Sequence, residues 1–195
     1  MQYFVTGATG FIGKRLVKAL LARKGATVHF LIRKESEAKV AGLREYWGAS
    51  ATKAVPVFGD LTSKKLGLGT EQIKALKGQI DHFYHLAAVY DLGADEASQI
   101  AVNVEGTRNT VEAAKAMDVG HFHHVSSIAA AGLYEGVFRE DMFDEAENIE
   151  HPYFMTKHES EKIVRKEYKG AWTVYRPALV VGDSKTGEMD KIDGP

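Results

Sequence analysis

The sequence predicts an α/β protein built on a doubly wound parallel sheet. Three observations carry this expectation. Short β-rich runs alternate with amphipathic helical stretches, the pattern of right-handed βαβ crossovers. The first β-rich run stops at a glycine-spaced turn that opens a helix. The chain has 195 residues, 45% hydrophobic and 26% charged, an ordinary makeup for one globular domain that closes its core without staples.

Residues 2–6 (QYFVT) form the first strand and stop at Gly7. Over 11–24, Phe11, Ile12, Leu16, Val17, Leu20 and Leu21 recur at helical spacing with Lys and Arg between them, and Gly25 ends the helix. Residues 27–32 (TVHFLI) give a second strand, 36–47 a charged helix and 55–58 a third strand. The stretch 61–78 is polar and glycine-containing, with a short helix at 71–76. Residues 80–86 (IDHFYHL) read as strand four. Residues 95–117 read as one long helix, apolar at Ile100, Val104, Val111 and Ala114. Strand five, 121–125 (HFHHV), ends in Ser126-Ser127. A loop with an acidic second half fills 129–150, and a solvated rim suits it better than a metal site. Pro152 fits the first turn of a helix running to 168, and 172–175 form strand six, stopped by Pro177. The expected organisation is one domain over 1–182, with 183–195 opening a C-terminal region that the chain does not complete.

Basic residues number 25 and acidic residues 26, for a net charge of −1, which removes the usual electrostatic basis for nucleic-acid binding. Cysteine is absent, so disulfides, thiolate metal sites and cysteine nucleophiles are excluded. No apolar run approaches the roughly 18 residues of a membrane span, and no signal peptide is expected before the first strand. A cytoplasmic protein with a small-molecule partner is expected, and a homo-oligomer is left open.

Gly7, Gly10 and Gly13 lie three apart at a strand-to-helix junction. In a Rossmann-type turn, the first permits the tight bend and the second lets a pyrophosphate reach the backbone. The third lets the helix pack closely, while the free N–H groups of the helix face the phosphates. A plain glycine turn has the same spacing but does not require the strand before it or the amphipathic helix after it. The second strand ends Leu31-Ile32-Arg33-Lys34, where an NAD site usually places a carboxylate. The Arg33 guanidinium suits a 2′-phosphate by charge and fork geometry, which favours NADP (NADPH) over NAD. The same pair also suits the start of a solvated helix, and Glu35, one step on, still fits NAD. Asp60, after strand three, suits an adenine amino group with Leu61 packed on the ring. On spacing alone it suits a helix N-cap equally well.

Tyr153 and Lys157 stand four apart, on one face of the last helix. A cation beside a phenol favours the phenolate, so such a tyrosine exchanges a proton with a carbonyl or alcohol oxygen. The pair alone is a common coincidence. Context adds weight, because Ser126-Ser127 ends strand five at the sheet edge that receives the cofactor, where a hydroxyl supplies a second donor. His121 and His123 share a strand face, but nothing at ligand spacing joins them, so no metal site is expected.

The runs TGATGFIG, GDLT (59–62), HLAA (85–88), NVEGTRN (103–109), VSS (125–127), YFMTK (153–157) and RPALVVG (176–182) together resemble the extended short-chain dehydrogenase/reductase family. The resemblance implies a Rossmann fold followed by a C-terminal substrate domain that this chain lacks. It implies pyrophosphate contacts at Gly7, Thr9, Gly10, Phe11, Ile12 and Gly13, adenine contacts at Asp60 and Leu61, and ribose contacts at Ala87 and Ala88. Asn103 matches the helix-four asparagine, and Pro177 to Val180 match the loop beside the nicotinamide. Ser127, Tyr153 and Lys157 match the catalytic residues, Lys157 also bonding the ribose. Ile128 stands where the family often has a third Ser/Thr, which leaves Ser126 and Ser127 both open. Within the family, HHVSSIAAAG, FREDMFDEAE, PYFMTKHESEKIVR and TGEMDKIDGP are most similar to the N-terminal reductase region of bacterial fatty acyl-CoA reductases and thioester reductases. That implies an oxidoreductase of lipid metabolism reducing an acyl-CoA or aldehyde with NADPH. An NAD-dependent nucleotide-sugar epimerase or dehydratase is the alternative.

Overall fold

A computed structural model describes residues 1–187 except 91, 92 and 94. The sequence 188–195, most of the expected C-terminal region, lies outside the described residues. Six strands form one sheet: β1 (Gln2–Thr6), β2 (Thr27–Ile32), β3 (Ala54–Phe58), β4 (His82–His85), β5 (His121–Val125) and β6 (Ala171–Tyr175). Their order is β3-β2-β1-β4-β5-β6, and every neighbouring pair is parallel. The chain builds outward from β1 through β2 to β3, then restarts at β4 on the other side of β1. The crevice at that reversal, beyond the carboxyl ends of β1 and β4, is where doubly wound sheets take their ligands.

The sheet is covered on two faces, and β1 shows why its strands read as nearly continuous apolar runs. Tyr3 and Val5 enter one core with Phe30 and Trp47; Phe4 enters the other with Phe83, Phe122, Met117 and Val164. Pro56 sits inside β3 without penalty because β3 is an edge strand.

The helices are α1 (Phe11–Leu21), α2 (Lys39–Trp47), α3 (Thr70–Leu76), α4 (Glu96–Gln99), α5 (Gly106–Ala116) and α6 (Pro152–Glu167). Two differ from expectation. The charged helix starts at Lys39, because a separate 3₁₀ turn, Lys34–Ser36, intervenes after β2. The long helix expected over 95–117 is wound in three parts, with a π turn at Ile100–Glu105 between α4 and α5. Asp95 caps its start by accepting from the Ser98 N–H at 2.8 Å. Among the described residues no helix is long and apolar enough to cross a membrane.

The ring of Tyr3 stacks on His82 at 5.8 Å, which puts His82 on the α1 face. There the side chains of β4, β5 and β6 form a transverse polar row. His82 Nδ1 meets His123 Nε2 at 3.0 Å, His123 Nδ1 meets the Tyr175 hydroxyl at 3.1 Å, and His121 Nε2 meets the Thr173 hydroxyl at 2.9 Å. His123 thus spends both ring nitrogens, and His121 its Nε2, on neighbouring strands, whereas both ring nitrogens of His124 are buried with no hydrogen-bond partner among the described residues.

Candidate active site

The glycine turn closes at the end of β1, where Gly10 N–H donates to the Gly7 carbonyl at 3.0 Å. Gly7 has φ +77°, and a Cβ there would lie 2.7 Å from the Ala87 nitrogen. A Cβ on Gly13 would lie 2.0 Å from the Gly7 carbonyl oxygen, so α1 packs directly on the turn. At Gly10, exposed and N-capping α1, a Cβ would meet only the Gly7 oxygen, at 3.3 Å. The first turn of α1 has no side-chain cap and no acidic residue. Its N–H groups, from Phe11 through Gly13, are therefore left for an anion. Thr9 and Ile12 are exposed beside them, and the Phe11 ring lies under the Arg15 guanidinium at 4.3 Å.

One cleft, of about 320 Å³, opens beside β2 and β3 and is walled by Arg33, Glu35, Phe58, Asp60, Ser63 and Gly67. It brings together Arg33 and Asp60. Lys34 also lines the cleft, paired with Glu37 at 2.6 Å and lying over the Phe58 ring. One Asp60 oxygen accepts from both the Thr62 N–H and hydroxyl, each at 2.7 Å. Those bonds, with Arg33 adding to them, hold the Asp60 carboxyl below the usual carboxylate range. Asp60 thus ties its own turn, and its second oxygen is what it has to offer a ligand. Asn109, on α5, donates to the Leu61 carbonyl at 2.8 Å. Sequence reasoning gave Asn109 no role, although it closes the NVEGTRN run.

Beyond β4, the Ala87 N–H donates to the Thr6 hydroxyl at 3.3 Å, and that hydroxyl meets His85 Nδ1 at 2.7 Å. The far nitrogen of His85 meets the Thr107 hydroxyl at 3.0 Å, and Thr107 donates to the Asn103 carbonyl at 2.6 Å. Burial, with Lys157 nearby, pushes the His85 imidazole down to about 3, so it is neutral. Asn103, in the π turn, exchanges two hydrogen bonds with the Val89 backbone and reaches Thr156 of α6 at 3.2 Å. Ala87 and Ala88 are thereby held between the glycine turn and the helices.

Lys157 is only 5% exposed, and its ammonium donates to the Val125 carbonyl at the end of β5, at 3.1 Å. Burial pushes it down to about 8, opposed by the Glu161 carboxylate. Tyr153 lies half-buried in the first turn of the same helix, its N–H on His151 Nδ1 at 3.2 Å. The two serines part company. Ser126 is buried and turned toward Glu161, too loosely for a well-formed hydrogen bond. Ser127 is half-buried on the opposite side, its hydroxyl accepting from the Ala129 N–H at 3.1 Å. The Pro177 carbonyl accepts from Ile128 at 3.2 Å, joining the segment after β6 to that after β5. A second cavity, of about 1020 Å³, is lined by Ile12, Leu86, Val125, Ile128, Pro177 and Val180 among others. Sequence reasoning also passed over Glu161 and Arg176, an ion pair in which Glu161 is buried and Arg176 lines this cavity.

Comparison with known proteins follows the same lines. The family model NAD_binding_4, described as male sterility protein, matches residues 5–195. An aldehyde reductase of Aspergillus flavus is 28% identical over 98% of this chain and 20% of its own. The terminal R domain from the myxalamid biosynthetic pathway superposes with a TM-score of 0.85 and 30% identity, over 97% of this chain and 51% of that one. The UDP-glucuronic acid 4-epimerase of Bacillus cereus, solved with NAD, gives 0.71 and 25% identity over 93% and 58%. The chain spans less than two thirds of the length of each. With its parallel sheet, its glycine turn and the matched residues 5–195, the chain belongs to the male sterility protein family, an NAD(P)-binding family of the extended short-chain dehydrogenase/reductase type.

Proposed function

We propose that residues 1–182 are the cofactor-binding and catalytic part of an NADPH-dependent reductase acting on an acyl thioester or aldehyde, fatty acyl-CoA being the expected form. A region from 183 onward would supply the rest of the substrate pocket. The observation that carries the reading is the buried Lys157 ammonium, held on the Val125 carbonyl at the same sheet edge as the glycine turn. A buried ammonium is costly unless it has work to do.

The uncapped start of α1 fits a pyrophosphate, so Gly7, Thr9, Gly10, Phe11, Ile12 and Gly13 would hold it. Arg33 would take the 2′-phosphate, and the second Asp60 oxygen with Leu61 the adenine. Ala87, Ala88 and Lys157 would face the ribose, and Pro177 and Val180 would flank the nicotinamide. When bound, this cofactor supplies hydride to the carbonyl carbon. Tyr153 gives its phenolic proton to the carbonyl oxygen, Ser127 donates a second hydrogen bond to it, and Lys157 stabilises the phenolate left behind. The half-buried Ser127, rather than the inward Ser126, is the serine assigned here.

A second reading, an epimerase or dehydratase with bound NAD, is favoured by one feature, Glu35 in the wall of the cleft beside Arg33. Titration with NADPH and NADH separates the two. NADPH should bind more tightly, and Arg33→Asp should abolish the preference. With a fatty acyl-CoA or fatty aldehyde, NADPH should be consumed in step with reduced product. Equal affinities, or interconversion of nucleotide sugars without net redox change, would overturn the reductase reading.

A further inference from the structure

Glu161 lies four residues beyond Lys157, which lies four beyond Tyr153, so the three share one face of α6. It is 0% exposed. Burial alone would raise its carboxyl, but the hydrogen bonds from Arg176 and Arg165 outweigh that and hold it ionised. Arg176 grips it with two nitrogens, at 2.6 and 3.1 Å, and Arg165 with one, at 2.8 Å.

Arg176 is also the residue before Pro177. Its guanidinium donates to the Met142 carbonyl at 2.8 Å and lies over the Phe138 ring. One side chain therefore joins α6, the loop around 138–142 and the segment entering the Pro177 wall of the larger cavity. From the other elements, His85 of β4 and His124 of β5 face Lys157, both buried and pushed toward the neutral form. Among the described residues, Glu161 is the anion whose field reaches the Lys157 ammonium.

We propose that Glu161 is a positioning residue of this site, balancing the buried Lys157 ammonium one helical turn away and, through Arg176, locking the Pro177 segment and the 138–142 loop to α6. The inference rests on the assignment of Tyr153 and Lys157, but its test reads Lys157 directly. The arrangement makes a clear electrostatic demand. Removing the carboxylate takes from Lys157 the charge that offsets its burial, and takes from Arg165 and Arg176 the anion they share. Removing Arg165 instead leaves the carboxylate less neutralised.

The experiment is an NMR titration of the protein carrying carbon-13 at the lysine ε position, with the Lys157 signal assigned from Lys157→Arg. The Lys157 midpoint should lie near 8. In Glu161→Gln it should fall by about one pH unit or more, the size of a close-charge effect, and Glu161→Asp should recover part of the shift. In Arg165→Met it should rise. An unchanged midpoint in a folded Glu161→Gln protein would overturn the proposal. If Glu161→Gln does not fold, Arg165→Met decides, and an unchanged or lowered midpoint there overturns it. Failure of the reductase reading looks different: no NADPH consumption, with the Lys157 shifts intact.

Discussion

Asn103 and Val89 grip each other twice. The Asn103 amide donates to the Val89 carbonyl and accepts from its N–H, both at 2.8 Å. A paired side chain of this kind imitates a strand partner and fixes the backbone just past Ala87 and Ala88. The extra width of the π turn aims Asn103 at that segment while its amide also reaches Thr156.

Asn103→Asp keeps the shape but loses both donor hydrogens, and sets a carboxylate against the Val89 carbonyl. The expected cost is about 1–3 kcal/mol, that of a buried group left unsatisfied. Urea unfolding measures it, and cofactor affinity should weaken in parallel. A native urea midpoint would show that the clamp carries no weight.

The glycines of the turn should separate by role. Gly13→Ala drives a Cβ to 2.0 Å from a backbone oxygen, so it should harm folding itself. Gly10→Val adds bulk at an exposed position, so it should keep the fold and lose NADPH binding. Circular dichroism melting with nicotinamide fluorescence titration distinguishes them. Equal effects of the two substitutions on melting would sink this division.

Tyr153→Phe should slow reduction by roughly the 10²–10⁴ fold typical of lost general-acid catalysis, with cofactor affinity nearly unchanged. Lys157→Ala should harm both rate and affinity, because one ammonium would serve phenol and ribose. Steady-state rates on the whole enzyme with NADPH titration test this. Native turnover in Tyr153→Phe would remove the assignment.

Acid should weaken the fold early. His85 is pushed down to about 3 and His123 to about 4, against an ordinary value of 6.5, chiefly by burial. The unfolded chain thus takes up protons that the folded chain refuses. Stability is fully present above about pH 6.5 and is lost as pH falls toward those folded values. At pH 5, His85 alone should cost on the order of 2 kcal/mol. Urea midpoints at pH 7 and pH 5 give the comparison, and a flat response contradicts it.

The strands were legible because each is a local run: QYFVT and TVHFLI carry their own signal. The choice between Ser126 and Ser127 stayed open in the sequence. It is the structure that separates them, with Phe122, His124 and Ser126 buried and Ser127 half-buried. Asp60 was legible only as a pair of options, since the bond to Thr62 is a matter of turn geometry. The π turn was not legible, because it has no hydrophobic period of its own and its Asn103 meets Val89 only in the folded chain. Arg176 meets Glu161 only once β6 has returned beside α6, so no spacing announces the pair.

The polar row across β4, β5 and β6 has a mechanical consequence. β6 ends the sheet order, and an end strand ordinarily frays. Here Tyr175 and Thr173 are tied to the imidazoles of His123 and His121, and His123 is tied onward to His82. These side-chain links run crosswise over the backbone ladder, like stitches across a seam. Amide hydrogens of β6 should therefore exchange with deuterium at rates closer to those of interior β5 than to those of β3, the opposite border, and His123→Phe should release them.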